Sequence, residues 1–184
     1  MDKIFKMHLL ALGSLMLVAC AWPGNNAWAH AVVEPQEVPA NSYQKLTFRV
    51  THGCEGSPTT AVIVRVPVSL HGAKPMPKAG WTIATEIEPL AEPYHSHGRL
   101  IDKEVRTISW QGGNLPNAYF DEFSIQVRIP GQAGEIAIPV TQLCEKGRLD
   151  WVETPTSQKP REALEAPAPM IRVQPVGAAG QHHH

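Results

Sequence analysis

Short runs of β-forming residues, interrupted about every 8 to 15 residues by Pro, Gly or Asn, constrain the fold of this 184-residue chain most strongly. In residues 45–50 and 60–66, β-branched and aromatic side chains recur at a period of two, which is typical of strands with one buried face. No stretch shows sustained helical periodicity with caps. The pattern predicts an all-β, immunoglobulin-like sandwich of about seven to eight strands, over residues 31–34, 44–51, 60–66, 82–89, 104–110, 122–129, 135–143 and 149–152.

The N-terminus has the three parts of a secretory signal peptide. Lys3 and Lys6 form a basic start, an apolar run covers residues 9–19, and Ala27-Trp28-Ala29 is a small-x-small cleavage site. The apolar run is shorter than the roughly 18 to 20 residues that a membrane span needs, and no later segment qualifies. We therefore expect residues 1–29 to be removed on export to the periplasm, without a membrane span in the mature protein.

A competing signal leaves a second processing route open. Leu17-Val18-Ala19-Cys20 also reads as a lipobox, in which Cys20 would be lipidated and become the first mature residue. The two cleavages exclude each other, and we favour the one after Ala29. In the alternative, the protein is a lipoprotein anchored at Cys20.

Cleavage after Ala29 would make His30 the first residue of the mature chain. Its α-amine has a reference pKa near 8, so a metal ion displaces that proton far more easily than the proton of a lysine. The amine and Nδ1 of the same residue can close a six-membered chelate ring, a histidine brace. Copper is the first-row divalent ion that such a nitrogen site holds most tightly.

The remaining 155 residues are enough for one domain, which we place at residues 30–152. Removal of Asp2, Lys3 and Lys6 changes the formal charge from −1 to about −2. No basic patch indicates a nucleic-acid partner. Residues 153–184 are rich in Pro and poor in large apolar residues, and predict a flexible tail, although residues 170–176 could add an edge strand. Its final His182-His183-His184 is either native or part of a tag.

Two cysteines, Cys54 and Cys144, remain in the mature chain. Thiols pair in the oxidising compartment that a signal peptide implies, so we expect one disulfide. A copper site built on free thiols is the alternative.

Sequence motifs give no support for a hydrolytic enzyme. The chain has no Gly-x-Ser-x-Gly, Gly-rich phosphate loop, His-Glu-x-x-His or Cys-x-x-Cys. We therefore expect a protein that is not an enzyme. His95 and His97, between Pro93 and Gly98, could form a second, weak copper or zinc site at a hairpin tip, or could be solvated polar residues.

Several motifs between residue 30 and about residue 151 resemble the YcnI-like family of exported copper-binding proteins. They are His30-Ala-Val-Val-Glu-Pro35, Ser42-Tyr43, Phe48-Arg49-Val50, Pro58-Thr59-Thr60 before a valine-rich strand that ends at Pro67, Lys78-Ala-Gly80-Trp81, Asp121-Glu122-Phe123 and Asp150-Trp151. The resemblance implies a β-sandwich that binds Cu(II) through the amine and imidazole of an N-terminal His and through a loop carboxylate, with a tryptophan that flanks the metal.

Carried over to this sequence, the resemblance assigns the brace to His30 and the flanking position to Trp151. The third ligand stays open, because the loop here reads Val50-Thr51-His52-Gly53-Cys54-Glu55-Gly56 and lacks the family's Arg-Val-Pro before the Glu. Either Glu55 fills this role or His52 replaces it. We favour His52, because imidazole is a better copper ligand than carboxylate and Gly53 permits close approach of the loop.

These features predict a periplasmic Cu(II)-binding protein that stores copper or passes it, by ligand exchange, to an inner-membrane importer or another copper protein. A copper-dependent redox enzyme is one alternative, since a histidine brace can also activate oxygen. A structural sandwich that binds a protein partner without metal is the other.

Overall fold

The computed structural model describes residues 31–175, which form twelve strands and no α-helix. The signal peptide 1–29, with Cys20, and residues 30 and 182–184 lie outside this described part of the chain. Within residues 31–175 no helix is long and apolar enough to cross a membrane. The strands are β1 (Val32–Glu34), β2 (Glu37–Pro39), β3 (Tyr43–Val50), β4 (Thr59–Arg65), β5 (His71–Pro75), β6 (Thr82–Ser96), β7 (Arg99–Leu115), β8 (Asp121–Arg128), β9 (Gly134–Ala137), β10 (Val140–Cys144), β11 (Arg148–Trp151) and β12 (Met170–Gln174).

Two main sheets and one small sheet make up the fold. The first has the order β1-β3-β8-β5, and the second has the order β11-β10-β4-β7-β6. Neighbouring strands within both are antiparallel. The small sheet, β2-β12-β9, contains the one parallel pair among the described strands, β12 with β2.

The core lies between the inward faces of the two main sheets. Phe48 and Phe123 come from the first sheet and Trp110 from the second, and all three are at most 1% exposed. The Trp110 and Phe123 rings lie 5.5 Å apart, and Trp81 packs edge-on against Phe123 at 4.9 Å. Each such side chain stabilises the fold by roughly 1.5–3 kcal/mol through burial. This architecture confirms the predicted β-sandwich.

The predicted single strand at residues 135–143 is wrong. It is two strands, β9 and β10, which lie in different sheets. Pro139 separates them, and because proline has no backbone N–H it cannot continue a ladder between two neighbours. The chain therefore changes sheets at this residue, although its apolar alternation continues on both sides.

The hairpin of β6 and β7 is longer than the predicted strands 82–89 and 104–110. Its turn is at His97 and Gly98, which have φ of 48° and 73°, as a two-residue hairpin turn requires. Pairing of β4 with β7 extends from Leu115 only to Thr107. Residues 87–105 therefore project beyond β4, and we call them the hairpin arm.

The folded unit also continues past the predicted boundary at residue 152. Ile171 and Val173 of β12 are at most 2% exposed, and β12 lies between β2 and β9 in the small sheet. Glu153 also bonds Lys159 and the backbone N–H of Ala166. The flexible tail predicted from residue 153 is therefore not found as far as residue 175. The strand considered at residues 170–176 does form, as β12, although it lies between two strands and not at an edge.

Candidate metal centre

The loop between β3 and β4 carries both candidate loop ligands and is closed by a tight turn. Cys54 N–H donates to the Ser57 carbonyl at 3.1 Å, and Ser57 N–H donates to the Cys54 carbonyl at 2.8 Å. The two central residues, Glu55 and Gly56, have φ of 48° and 87°. This is the left-handed geometry of a two-residue hairpin turn. Glu55 thus lies at the exposed tip of the loop.

Glycine is required immediately after His52 for a steric reason. A Cβ on Gly53 would lie 1.8 Å from the Ser57 carbonyl oxygen, far inside the van der Waals limit. The backbone N–H of Gly53 donates to Asn117 Oδ1 at 2.9 Å. The close crossing of residues 53 and 57 therefore fixes the backbone next to the histidine.

A disulfide ties this loop to the second sheet and confirms the predicted pairing. Cys54 and Cys144 are joined with a Cα–Cα distance of 5.9 Å, and Cys54 is 4% exposed. Glu145 N–H also donates to the Pro58 carbonyl at 3.0 Å. The loop is thus attached at both sides of its turn to the end of β10.

His52 is half-buried at the base of the loop, and its Nδ1 lies 2.6 Å from the Gly53 carbonyl oxygen. A carbonyl can only accept, so Nδ1 carries the proton. In the neutral ring the lone pair then lies on Nε2, the nitrogen through which such an imidazole can bind a metal ion. This tautomer is compatible with metal binding through Nε2.

The buried side chain of Gln142 holds the His52 backbone in place. Its Nε2 donates to the His52 carbonyl at 2.6 Å and to Thr59 Oγ1 at 2.7 Å. Gln142 is only 2% exposed, so loss of either bond would leave a polar group without compensation. Gln142 is not evident as a site residue from the sequence, because a single Gln in an apolar strand matches no ligand motif.

Trp151 lies in the same buried layer as Gln142. It pairs with Val140 across β10 and β11, so the two side chains share one face of the sheet. Gln142 follows Val140 by two residues on that face, which makes it a diagonal neighbour of Trp151 at about 7–8 Å. Trp151 is 2% exposed and belongs to the core. It is thus adjacent to the residue that anchors His52.

Asp150 points to the opposite face of β11 and is already engaged. It accepts hydrogen bonds from Arg148 and Thr141, and the Arg148 bond in particular holds the pKa of its carboxyl below the ordinary value. A neighbouring guanidinium competes with any cation for this carboxylate. Asp150 is therefore a poor candidate for a metal ligand.

His30 lies outside the described residues, but its covalent neighbour has a defined position. Ala31 is 5% exposed and directly precedes β1, whose Val32 pairs with Arg49 of β3. The strand β3 ends at Val50, two residues before His52. The chain therefore enters the sandwich at the end from which the His52 loop departs.

Residues 31–175 alone do not bring a complete set of ligands together. No group of three or more His, Cys, Asp or Glu side chains in this range is arranged to hold a metal ion. The assignments of His52 and Glu55 remain predictions. The same is true of His95 and His97, whose exposed side chains lie at the tip of the hairpin arm.

Comparison with known proteins places the chain in a family. A family model described as "Domain of unknown function (DUF1775)" matches residues 30–173. The copper-binding protein CutI of Bacillus subtilis (strain 168) is 26% identical over 128 residues, which cover 68% of this chain and 56% of CutI. The chain thus spans little more than half the length of this curated relative.

A solved structure supports the fold independently. An uncharacterized protein from Nocardia farcinica, described as having an immunoglobulin-like fold, superposes with a TM-score of 0.58 at 22% identity. The match covers 78% of this chain and 97% of that one. From its motifs, its sandwich and the family match over residues 30–173, the chain belongs to the DUF1775 family, the YcnI-like family that its sequence resembles.

Proposed function

We propose that this chain is a periplasmic copper-binding protein, and not an enzyme, that binds Cu(II) through His30 after removal of residues 1–29. The observation that carries the proposal is where the family match begins. It starts at residue 30, the residue that follows the predicted cleavage site. The relative CutI, a copper-binding protein by name, supports copper as the metal.

We assign the third ligand to His52. Its Nδ1 proton is directed to the Gly53 carbonyl, and Gln142, Asn117 and the disulfide hold the loop from three sides. Such support orients an imidazole before the metal arrives. Glu55, at the exposed tip of the turn, is the alternative ligand. Trp151 would limit the access of solvent to the bound ion.

This ligand set suits the transfer of copper to a partner protein. An amine and two imidazoles leave coordination positions of Cu(II) open, so a partner's ligands can attack before those of the donor have left. The expected recipients are an inner-membrane importer or another copper protein. The function proposed is therefore copper delivery or storage.

The test is a Cu(II) titration of the exported protein, followed by electron paramagnetic resonance. Intact mass should first show that the chain begins at His30; a chain that begins at Cys20 would contradict the proposal. Nitrogen hyperfine structure should then indicate coordination by three nitrogens. A chain that begins at His30 and fails to bind Cu(II) would support the structural sandwich instead.

Two variants separate the candidate loop ligands. His52→Ala should remove one nitrogen from the spectrum and weaken Cu(II) binding, whereas Glu55→Gln should leave the nitrogen count and the affinity unchanged. The opposite pattern would reassign the ligand to Glu55. Near-ultraviolet circular dichroism of both variants checks that the loop and the sandwich remain folded.

A further inference from the structure

A positively charged groove lies at the end of the sandwich opposite His52. It is a cavity of about 800 Å³ between the hairpin arm and strands β5 and β8. Four cationic side chains line it: Lys74 of β5, Arg99 and Lys103 of β7, and Arg128 of β8. We call this set the cationic groove. Its charge contrasts with the formal charge of −1 of the whole chain.

No carboxylate in the described chain neutralises these four cations. All four are exposed, and none forms an ion pair with a residue of the range 31–175. Several other arginines of the sandwich are paired instead. Arg49, Arg65 and Arg172, for example, each bind a glutamate. The positive potential of the groove is therefore available to an external anion.

The acidic residue that lines the groove is already compensated. Glu104 is 7% exposed and accepts hydrogen bonds from Arg106 at 2.8 Å, Tyr94 at 2.7 Å and the backbone N–H of Gly72 at 2.8 Å. His71 Nδ1 lies 3.1 Å from the same carboxylate. These bonds hold the Glu104 carboxylate at the base of the groove and compensate its charge. The exposed surface of the groove therefore remains positive.

The spacing of the cations favours an extended ligand over a small anion. Arg99 and Lys103 are four residues apart on one strand, which places them about 13 Å from each other and on the same side of β7. Lys74 and Arg128 lie on two further strands. A single phosphate or carboxylate cannot reach all four, but an extended peptide with carboxylates at alternate positions can.

Edge strands border the groove on both sides. β5 is the last strand of the first sheet and β6 is the last strand of the second. Such edges have unpaired backbone groups that can hydrogen-bond an added extended segment. Glu92, which lines the adjacent cavity on the arm, interrupts the positive surface and disfavours a long nucleic-acid backbone.

We propose that the cationic groove docks an acidic, extended segment of a partner protein. The site is independent of the proposed metal centre. Tyr43 pairs with Arg128 at the groove end of β3, whereas Val50 pairs with Asp121 at the other, and these ends are about 23 Å apart along the strand. A partner held here leaves the His52 loop accessible.

The test measures binding of a fluorescently labelled, acetylated octapeptide of alternating Glu and Ser. Binding to the chain that begins at His30 should be saturable and should weaken with rising salt. The double variant Arg99→Glu/Lys103→Glu should weaken it by about tenfold or more. Lys45→Glu/Lys146→Glu makes the same change of charge at exposed positions outside the groove, and should retain the affinity within about twofold.

Other outcomes would overturn the proposal. Equal losses in the two double variants would show attraction without a defined site. Citrate that displaces the peptide at equal carboxylate concentration would reassign the groove to small anions, and tighter binding of a single-stranded DNA oligomer would reassign it to nucleic acid. Lys74→Gln, a mild change on another strand, should weaken peptide binding as well, which separates loss of the groove from misfolding of the double variant.

Discussion

Removal of the disulfide should destabilise the sandwich by an amount that depends on the number of residues between the two cysteines. Cys54 and Cys144 are 90 residues apart. In the chain-entropy model, cross-linking a loop of this length lowers the entropy of the unfolded state enough to stabilise the fold by about 4.6 kcal/mol at 25 °C. For a domain of this size, that corresponds to a decrease of roughly 10–18 °C in melting temperature. We predict this loss for Cys54→Ser/Cys144→Ser.

Urea unfolding of the mature chain measures the effect. The free energy of unfolding is extrapolated to zero denaturant for the wild type and for the double variant. The wild type in the presence of a phosphine reductant is the matched control and should approach the curve of the variant. A loss below about 1 kcal/mol would show that the disulfide contributes little to stability and that the chain-entropy model does not hold for this bond.

The same variant should also weaken Cu(II) binding, because the His52 loop loses its covalent attachment to β10. The free energy of ordering that loop would then oppose metal binding. Unchanged copper affinity in a variant of reduced stability would show that the disulfide supports the fold and not the site.

Three further predictions concern the loop, the buried carboxylate and the C-terminal strand. Gly53→Ala should weaken Cu(II) binding far more than Gly56→Ala. A Cβ at Gly53 meets the Ser57 oxygen at 1.8 Å, whereas one at Gly56 has no atom within 4 Å and carries only the cost of the left-handed φ of 87°. Isothermal titration compares the two variants, and equal losses of affinity would count against the steric argument. Burial alone would raise the pKa of Glu104, but the hydrogen bonds from Tyr94 and from the residues of β5 outweigh it and lower the pKa. The ionised carboxylate therefore contributes stability that is fully present above about pH 4.3, the ordinary pKa of a glutamate, and is lost as the pH falls through the lower folded pKa. Urea midpoints measured from pH 3 to 7 should show this acid-dependent loss in the wild type and not in Glu104→Gln. Identical pH profiles of the two proteins would contradict the prediction. Truncation after residue 152 should lower the melting temperature by at least about 10 °C, whereas truncation after residue 175 should not change it, because only the former removes β12.

The strands with clear alternation could be predicted from the sequence, and those with mixed composition could not. Residues 44–51 predict β3 to within one residue at each end, because Leu46, Phe48 and Val50 face the core at a period of two. β5 has the sequence His-Gly-Ala-Lys-Pro and contains no β-branched residue. Tertiary pairing with β8, which no local pattern encodes, makes it a strand.

The candidate site shows the same division. The two cysteines could be paired from the sequence because thiols oxidise in an exported protein, and His52 is a candidate because of the chemistry of its imidazole, although its role as a ligand stays a prediction. Gln142 and Asn117 could not, since their importance comes from backbone groups that only the fold brings near. Glu104 and Arg106 alternate along β7 as solvent-facing charges would, although both are buried against each other.

The most direct test of the copper proposal is to compare Cu(II) affinity between the chain that begins at His30 and one that has a single additional Met before it. The extra residue converts the α-amine of His30 into an amide and should abolish the chelate ring. We predict that affinity falls by at least about a hundredfold, which corresponds to about 2.7 kcal/mol, with one fewer amine-type nitrogen in the spectrum. Equal affinity of the two chains would contradict a site built on the terminal amine.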